Sequence, residues 1–325
     1  MKLLIKKEVN MDFKNSLVVN NMKAYFYEND TLSENCNFHD YFIENHSPHF
    51  VIENGWDDKF SDLIFGIEVK AVTISGCNDI SFISKYFKGI KQLIIDCESI
   101  AGFNVISSLE NLEDLSFVCS KNFSLELNLP SNLKSLTIDW KSKFKLIGKS
   151  SSSLEFISIF NGNNIDWSFF LDSKNLKKID LNNCSIDDGD FIFTFQKLQC
   201  LTIYNCKNIK FSNDIKRNTS VKYIYFTKVL VGNIEWVSKL ENLDIIIMES
   251  CGDIKDIFPL KYLIPAIRGV SFSGNTNIIN GDLDILQQLK NLHNCFLAPK
   301  KHYSLKSKLP WSWNNFSIDK KELFI

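Results

Sequence analysis

Apolar and polar positions along this chain follow a frame that repeats every 21 to 25 residues. Each copy has apolar residues at positions 1, 4 and 6, and in the copy that begins at residue 176 these are Leu176, Ile179 and Leu181. Positions 4 and 6 are two apart, so both side chains point to one face of a β-strand. Eleven copies can be placed, starting at Val69, Ile90, Leu112, Leu133, Leu154, Leu176, Leu198, Val221, Leu243, Ile267 and Leu292.

This frame predicts a solenoid over residues 69–299. All thirty-three residues at positions 1, 4 and 6 are apolar, although the chain as a whole is 45% apolar. One copy cannot bury such a face alone, but stacked copies can, with their strands pairing in parallel. Position 9 turns the chain out of the strand and needs a side chain that satisfies buried turn backbone. That position is occupied by Cys77, Cys184, Cys206, Cys251 and Asn275.

Three segments make a family resemblance visible: LKKIDLNNCSI at 176–186, LQCLTIYNCKNI at 198–209 and LDIIIMESCGDI at 243–254. They resemble leucine-rich repeats in period and in the pattern L-x-x-L-x-L-x-x-N/C-x-L. The resemblance implies an α/β solenoid, a horseshoe of about eleven repeats. Its parallel sheet would line the concave side, with short helices or coil on the convex side. It implies little about function, because this scaffold serves many unrelated binding tasks.

The two ends of the chain do not follow the frame. We predict an N-terminal capping segment over residues 1–68 and a C-terminal cap over residues 300–325, because the end repeats of a solenoid expose apolar surface. The stretch LVVNNMKAYFYEN at 17–29 alternates imperfectly and favours a strand or hairpin. Two alternatives stay open: a separate small domain at the N-terminus, and a short partner-contact segment at the C-terminus.

Composition narrows the class of function. The formal net charge is −1, from 37 basic and 38 acidic residues, which argues against binding of nucleic acid or another polyanion. Nine cysteines stand at spacings set by the repeat and none forms a C-x-x-C pair, so we expect reduced, mostly buried thiols. No secretory signal is recognisable, and no apolar run approaches the length of a membrane helix. We therefore expect a cytoplasmic protein that does not bind membranes and is a monomer when free.

Motifs for catalysis are missing from the sequence, which has no P-loop, G-x-G-x-x-G, G-x-S-x-G or H-E-x-x-H. We expect no enzymatic activity and no cofactor. His39, His46 and His49 stand close together, but their spacing matches no recognised metal-ligand pattern, so surface or cap histidines are favoured over a metal site. Cys200 falls at an exposed strand position and is a weak candidate for a reactive thiol.

Residues at positions 3, 5, 7 and 8 are predicted to project from the concave side of the sheet. Because neighbouring strands lie about 4.8 Å apart, columns in the sequence become patches in space. Large aromatic residues and carboxylates concentrate there, as they do in protein interfaces that take a basic partner. The predicted partner-binding residues are Asp96, Asp114, Asp139, Trp140, Phe156, Phe160, Asp180, Tyr204, Tyr223, Tyr225 and Glu249. The alternative is that these aromatics pack on one another or under the N-terminal segment.

The favoured function is a protein-interaction module that binds a macromolecular partner on the concave face. By resemblance to small cytoplasmic leucine-rich-repeat proteins, the finer hypothesis is an immunity protein that neutralises a cognate bacterial toxin with a basic surface. Two alternatives are a secreted effector that binds a host protein and an intracellular adaptor or scaffold.

Overall fold

The computed structural model divides into two compact units, residues 1–154 and residues 155–325. Both units are built of β-strands that pair side by side and are joined by short helices, turns and coil. In the three ranges nearest the N-terminus only the backbone is described. The described ranges are 4–6, 13–19, 22–27, 49–58, 61, 68–98, 101–119, 125–140, 144–206 and 209–304.

The described residues of the first unit form ten strands. They are β1 (Leu4–Lys6), β2 (Phe13–Val19), β3 (Met22–Tyr27), β4 (His49–Glu53), β5 (Ala71–Ser75), β6 (Gln92–Cys97), β7 (Asp114–Cys119), β8 (Leu125–Asn128), β9 (Ser135–Asp139) and β10 (Phe144–Ile147). From β1 to β4 each neighbouring pair is antiparallel. From β4 through β5, β6 and β7 to β9 the pairs are parallel. β8 and β10 form a separate parallel pair.

The parallel pairing of the first unit starts at β4, one strand earlier than the predicted start at residue 69. Phe50 and Ile52 align with Val72 and Ile74 of β5 and are fully buried, as positions 4 and 6 of a repeat should be. The sequence hid this copy because its position 1 would be Ser47, which is polar. The predicted strand or hairpin at 17–29 is confirmed by the antiparallel pairing of β2 with β3.

The second unit continues the same construction with nine strands among its described residues. They are β11 (Phe156–Phe160), β12 (Lys178–Asn182), β13 (Cys200–Tyr204), β14 (Tyr223–Thr227), β15 (Ile245–Glu249), β16 (Asp253–Ile254), β17 (Gly269–Ser273), β18 (Asn277–Ile278) and β19 (Asn294–Leu297). β11 to β15, then β17 and β19, pair in parallel, with equivalent repeat positions opposite each other. β16 and β18 form a second parallel pair.

Short helices cross between the strands on the other side of the core. The first unit has α1 (Ile83–Tyr86) and a 3₁₀ helix at Phe103–Ser108, while β8 and β10 replace helices in the third and fourth repeats. In the second unit the 3₁₀ helices are Trp167–Phe170, Asp190–Thr194, Glu235–Lys239, Phe258–Leu263 and Asp284–Gln288.

The core lies between the strands and these helices. Leu176, Ile179 and Leu181 are at most 1% exposed, and the same positions of the other predicted repeats are buried except for Leu297 of the last copy, which is half-buried. Aromatic side chains fill the second row, where Trp236 lies 4.6 Å from the ring of Phe211 between centroids. Full burial of one such aliphatic or aromatic side chain contributes about 1.5–3 kcal/mol, so the repeated pattern supplies the main stabilisation.

Cysteines close the turns, as the sequence predicted. Sγ of Cys184 donates to the carbonyls of Ile159 and Asn182, each at 3.4 Å. All seven cysteines whose side chains are described are buried. The expectation for Asn275 was wrong, because this side chain is exposed and Thr276 is buried in its place. The residue at position 8, just before the turn position, adopts a left-handed backbone in several repeats, which asparagine tolerates better than most residues. It is Asn161, Asn183 or Asn205 in three of them.

The C-terminal end of the described chain packs against the last repeats of the second unit. The hydroxyl of Tyr303 accepts a hydrogen bond from the backbone N–H of Ile278 at 3.0 Å, and the N–H of Ser304 donates to the carbonyl of Gly281 at 2.8 Å. Of the predicted C-terminal cap, residues 300–304 are therefore described, while residues 305–325 lie outside the described part of the chain.

Candidate partner-binding site

The predicted site residues lie on the strand face opposite the core, called the non-core face below. In the second unit the parallel register places equivalent positions in rows that run across the strands. The row at position 3 is buried, with 5–7% exposure, and consists of Phe156, Lys178, Cys200, Tyr223 and Ile245. Phe156 and Tyr223 therefore do not offer the exposed rings that the sequence predicted. Cys200, Tyr223 and Ile245 instead form an apolar cluster against which Ile247 packs.

Asp180 also differs from the exposed carboxylate that the sequence predicted at this position. The Oδ2 atom lies 3.4 Å from Nζ of Lys178 on the same strand, and this Nζ lies 5.3 Å from the centre of the Phe156 ring. Burial raises the pKa of the Asp180 carboxyl, and the positive charge of Lys178 opposes that rise. Asp180 therefore forms a local ion pair beside buried side chains.

The expectation that Cys200 is exposed was wrong, and with it the weak candidacy of this thiol as a reactive group. The thiol is 7% exposed, and burial raises its pKa to about 11. A thiolate is the nucleophilic form of cysteine, so a raised pKa makes Cys200 less reactive than an ordinary exposed thiol. The position alternates correctly within the strand, but neighbouring strands cover it.

On β13 and β14 the non-core face carries two exposed rings, at the last residue of β13 and at the middle residue of β14. Tyr204 and Tyr225 are 40% and 39% exposed. Tyr204, Thr227 and Glu249 stand opposite one another in a single row across the three strands. The hydroxyl of Tyr225 donates to Oε2 of Glu249 at 3.3 Å. We call these four residues, together with Lys228, the β13–β15 site.

Turn geometry holds this row in place. Asn205 and Lys228 follow the strands with left-handed φ angles of 50° and 56°. Their backbone N–H groups donate to the carbonyls of Thr227 and Glu249 respectively, each at 2.8 Å. Each turn is thereby tied to the end of the next strand. Tyr204, Thr227 and Glu249 therefore project from backbone that is held on both sides.

Two features of the β13–β15 site concern charge and hydrogen bonding. Nζ of Lys228 lies 5.6 Å from the centre of the Tyr204 ring, within range of a cation–π contact. Thr227 is 7% exposed, and its hydroxyl has no hydrogen-bond partner among the described residues. A buried hydroxyl without a partner is uncommon and costs free energy. The site thus holds two exposed rings, a carboxylate, an ammonium group and an unsatisfied hydroxyl.

The remaining predicted residue of the second unit, Phe160, is half-buried at the end of β11. Sequence reasoning missed Thr227, because only large aromatic and charged residues were selected. It also missed Phe296 on β19, which belongs to the last copy and is 40% exposed. Both residues could have been found from their place in the repeat, because Thr227 is at position 7 and Phe296 at position 5, and both positions were predicted to lie on this face.

The four predicted residues of the first unit do not form a comparable exposed patch. Asp96 is exposed on β6. Asp114 is fully buried, and its Oδ2 accepts a hydrogen bond from the Gln92 amide at 2.8 Å. Asp139 is 9% exposed, and Trp140 is 4% exposed with its ring 5.1 Å from that of Phe144. Trp140 fails as an exposed residue because β10 brings an aromatic partner against it.

Within the described ranges no three His, Cys, Asp or Glu side chains converge to hold a metal ion. Of the clustered histidines, His39 and His46 lie outside those ranges, and Nε2 of His49 lies 2.8 Å from the hydroxyl of Thr73. Burial lowers the pKa of His49 to about 4. None of the helices in the described part of the chain has the length and apolar character to span a membrane.

Parallel strands that recur once per repeat, an aliphatic core and thiol-closed turns define a leucine-rich-repeat solenoid. The chain is similar to the structure of an internalin (inlF) from Listeria monocytogenes, with a TM-score of 0.53 and 17% identity over 75% of this chain and 72% of the internalin. It is also similar to the plant peptide hormone receptor RGFR1, solved in complex with RGF2, with a TM-score of 0.50 and 18% identity over 75% of this chain and 46% of the receptor. No protein-family model and no curated protein matches the sequence. At these identities the likeness shows the fold alone.

Proposed function

We propose that this chain is a non-enzymatic protein-binding module and that its partner contacts the β13–β15 site. The observation that carries the proposal is the pair of exposed tyrosines on adjacent strands, Tyr204 and Tyr225. Tyrosine and other aromatic residues dominate the energetics of protein interfaces, because they bury a large apolar area and keep a polar tip. The rigid row of turns beneath them keeps the entropy cost of binding low.

The partner is a protein with a basic and partly apolar face. Glu249 places a carboxylate beside the two rings, and the hydrogen bond from Tyr225 orients that carboxylate. Charge complementarity of this kind contributes to specificity and to the rate of association. The plant peptide hormone receptor RGFR1 was solved in complex with RGF2, which is consistent with polypeptide binding as a use of this fold.

At the finer level, the proposed role is that of an immunity protein that masks a cognate toxin with a basic surface. An aromatic and acidic site suits a partner such as a nuclease, whose own substrate is a polyanion. The proposed location is the cytoplasm, in line with cysteines that are buried wherever their side chains are described. The free protein is proposed to be a monomer.

The test compares two double variants of the tagged full chain. Tyr204→Ala with Tyr225→Ala removes the rings of the β13–β15 site. Phe258→Ala with Tyr262→Ala is the matched control. These two aromatic side chains are 57% and 60% exposed, more than Tyr204 and Tyr225, and they lie on a 3₁₀ helix outside the strands. Partners recovered from the native host would be identified by quantitative mass spectrometry. Their affinities for wild type and variants would then be measured with purified proteins.

The expected result is a loss of affinity on the order of 100-fold or more for the tyrosine double variant and little change for the control. Two interface hot spots cost about 2 kcal/mol each when truncated, and each 1.4 kcal/mol is tenfold in affinity. A partner that binds the tyrosine variant as tightly as wild type would place the interface elsewhere. The immunity role predicts that expression of the partner arrests bacterial growth. Co-expression of the wild-type chain should relieve this arrest, whereas co-expression of the tyrosine double variant should not.

A further inference from the structure

We infer that the β13–β15 site receives an arginine side chain of the protein partner. The inference rests on the proposed function and adds the chemical identity of the group that anchors the partner. Two features of the site support it: a carboxylate that has no cationic partner among the described residues, and two exposed aromatic rings on adjacent strands.

The carboxylate is that of Glu249. Its Oε2 accepts a hydrogen bond from the hydroxyl of Tyr225. No lysine or arginine among the described residues forms an ion pair with the carboxylate of Glu249. Lys228 directly follows Thr227 in the chain, and its Nζ lies 5.6 Å from the centre of the Tyr204 ring. A carboxylate whose position is set by a neutral hydroxyl can still accept two N–H groups from a guanidinium, the strongest geometry for such a pair.

Thr227 stands between Tyr204 and Glu249 in the row. It is more than nine-tenths buried and its Oγ1 has almost no accessible surface, so a partner group reaches the rings and the carboxylate on either side of it. Guanidinium has five N–H donors in a planar fork, and two of them can pair with the carboxylate of Glu249.

The rings of Tyr204 and Tyr225 select arginine over lysine. A flat, weakly hydrated guanidinium stacks on an aromatic face while its edge makes hydrogen bonds. An ammonium group is compact and strongly hydrated, and it cannot stack in this way. Lys228 already lies over Tyr204 at 5.6 Å, which shows that a cation is tolerated beside this ring.

The experiment uses two short probes, acetyl-Gly-Arg-Gly-amide and acetyl-Gly-Lys-Gly-amide, with the full chain. The protein carries ¹³C labels in its tyrosine rings and threonine methyl groups, and the probes are added to millimolar concentration. We expect saturable shifts of the Tyr204, Tyr225 and Thr227 signals, with the arginine probe binding at least about fivefold more tightly than the lysine probe. Equal affinities, or no shift of these signals, would overturn the assignment.

Two variants test the role of the carboxylate. Glu249→Gln should weaken the arginine probe by about tenfold, whereas Asp214→Asn, an exposed carboxylate outside the site, should leave it unchanged. An unchanged affinity of the Glu249→Gln variant for the arginine probe contradicts the inference.

The probe result and the partner result separate the two proposals. If neither probe binds but the tyrosine double variant loses the purified protein partner, the proposed function stands and the arginine anchor is rejected. If the tyrosine variant retains the partner, the proposed function fails, and the arginine inference fails with it as a statement about that partner.

Discussion

The backbone N–H of Cys184 donates a hydrogen bond to Sγ of Cys206, 3.3 Å away and one repeat further along the chain. The same thiol donates to the carbonyl of Leu181 at 3.6 Å. A cysteine side chain can act both as a donor and as an acceptor. One buried thiol therefore satisfies backbone groups from the turn of its neighbour as well as from the strand before it. These contacts, repeated along the chain, couple adjacent repeats outside the sheet.

Replacing Cys206 by alanine should lower the free energy of unfolding by about 2–3 kcal/mol, because it leaves a buried N–H and carbonyl unsatisfied. Cys206→Thr should restore most of this loss. The precedent is Thr276, whose hydroxyl accepts from the N–H of Cys251 at 2.9 Å and donates to the carbonyl of Met248 at 3.0 Å. Urea denaturation followed by circular dichroism measures both variants. Equal destabilisation by alanine and threonine would show that the stability contribution of Cys206 comes from the volume of its side chain and not from its hydrogen bonds.

Asn218 should be among the most sensitive polar residues of the second unit. It is fully buried; its amide donates to the carbonyls of Phe193 and Phe195, each at 3.1 Å, and Oδ1 accepts from the N–H of Ser220 at 2.9 Å. Asn218→Asp should cost about 3 kcal/mol or more, since it removes both donors and sets a carboxyl against two carbonyls.

The control for Asn218 is Asn242→Ala. Asn242 is exposed and makes one hydrogen bond, from its amide to the carbonyl of Thr219 at 2.7 Å. Its loss should cost less than about 1 kcal/mol, because water replaces the partner. Thermal melts of both variants measure the difference. Similar melting temperatures for the two variants would mean that the buried hydrogen bonds of Asn218 contribute no more to stability than the exposed one of Asn242.

Acid should weaken the first unit through His49. Its pKa falls from an ordinary 6.5 to about 4 because burial disfavours the charged imidazolium. The unfolded chain binds the proton first, so the stability contribution is complete above pH 6.5 and is lost as the pH falls from 6.5 toward 4. The loss is at most about 3 kcal/mol. NMR titration of the imidazole gives the pKa directly.

A His49→Gln variant should be less sensitive to pH between 6.5 and 4 than wild type, while the exposed His293→Gln should follow wild type. Free energies of unfolding in urea at several pH values make the comparison. An imidazole that titrates near its ordinary value, or identical pH profiles for wild type and His49→Gln, would show that His49 is accessible to water.

Alkali should weaken the fold through its buried thiols. Burial raises the pKa of Cys200 from an ordinary 9.0 to about 11. The unfolded chain therefore loses its proton first, so stability is complete below pH 9 and falls as the pH rises toward 11, by up to about 1.4 kcal/mol per pH unit for each such thiol. Cys200→Ser should reduce this slope, measured by urea unfolding under a reducing agent. An unchanged slope would mean that Cys200 does not contribute.

Much of the fold could be predicted from the sequence, because the features that define it are local. An apolar pair two residues apart identifies a buried strand face, and the same pair recurring about 22 residues later identifies the next strand. The predicted alignment of Ile179 with Leu201 is the observed pairing of β12 with β13. The start of the parallel pairing was missed because Ser47 replaces an apolar residue at position 1, where the pattern alone carries too little information.

Exposure on the non-core face could not be predicted in the same way. Tyr223 and Tyr225 lie two residues apart on β14 and point to the same face, yet the first is 5% exposed and the second 39%. Alternation states only which face a side chain takes. How much water reaches it depends on the side chains of neighbouring strands, here Cys200 and Ile245 around Tyr223. Those neighbours are about one repeat away along the chain.

By itself, then, the sequence determined the strand period, the parallel register and the residues of the core and turns, since each follows from short-range spacing. Only the tertiary structure decided which predicted site residues reach solvent, burying Phe156 and Tyr223 while leaving Tyr204 and Tyr225 exposed. The physical reason is that a backbone pattern sets the direction of a side chain, whereas burial is a property of everything that packs against it.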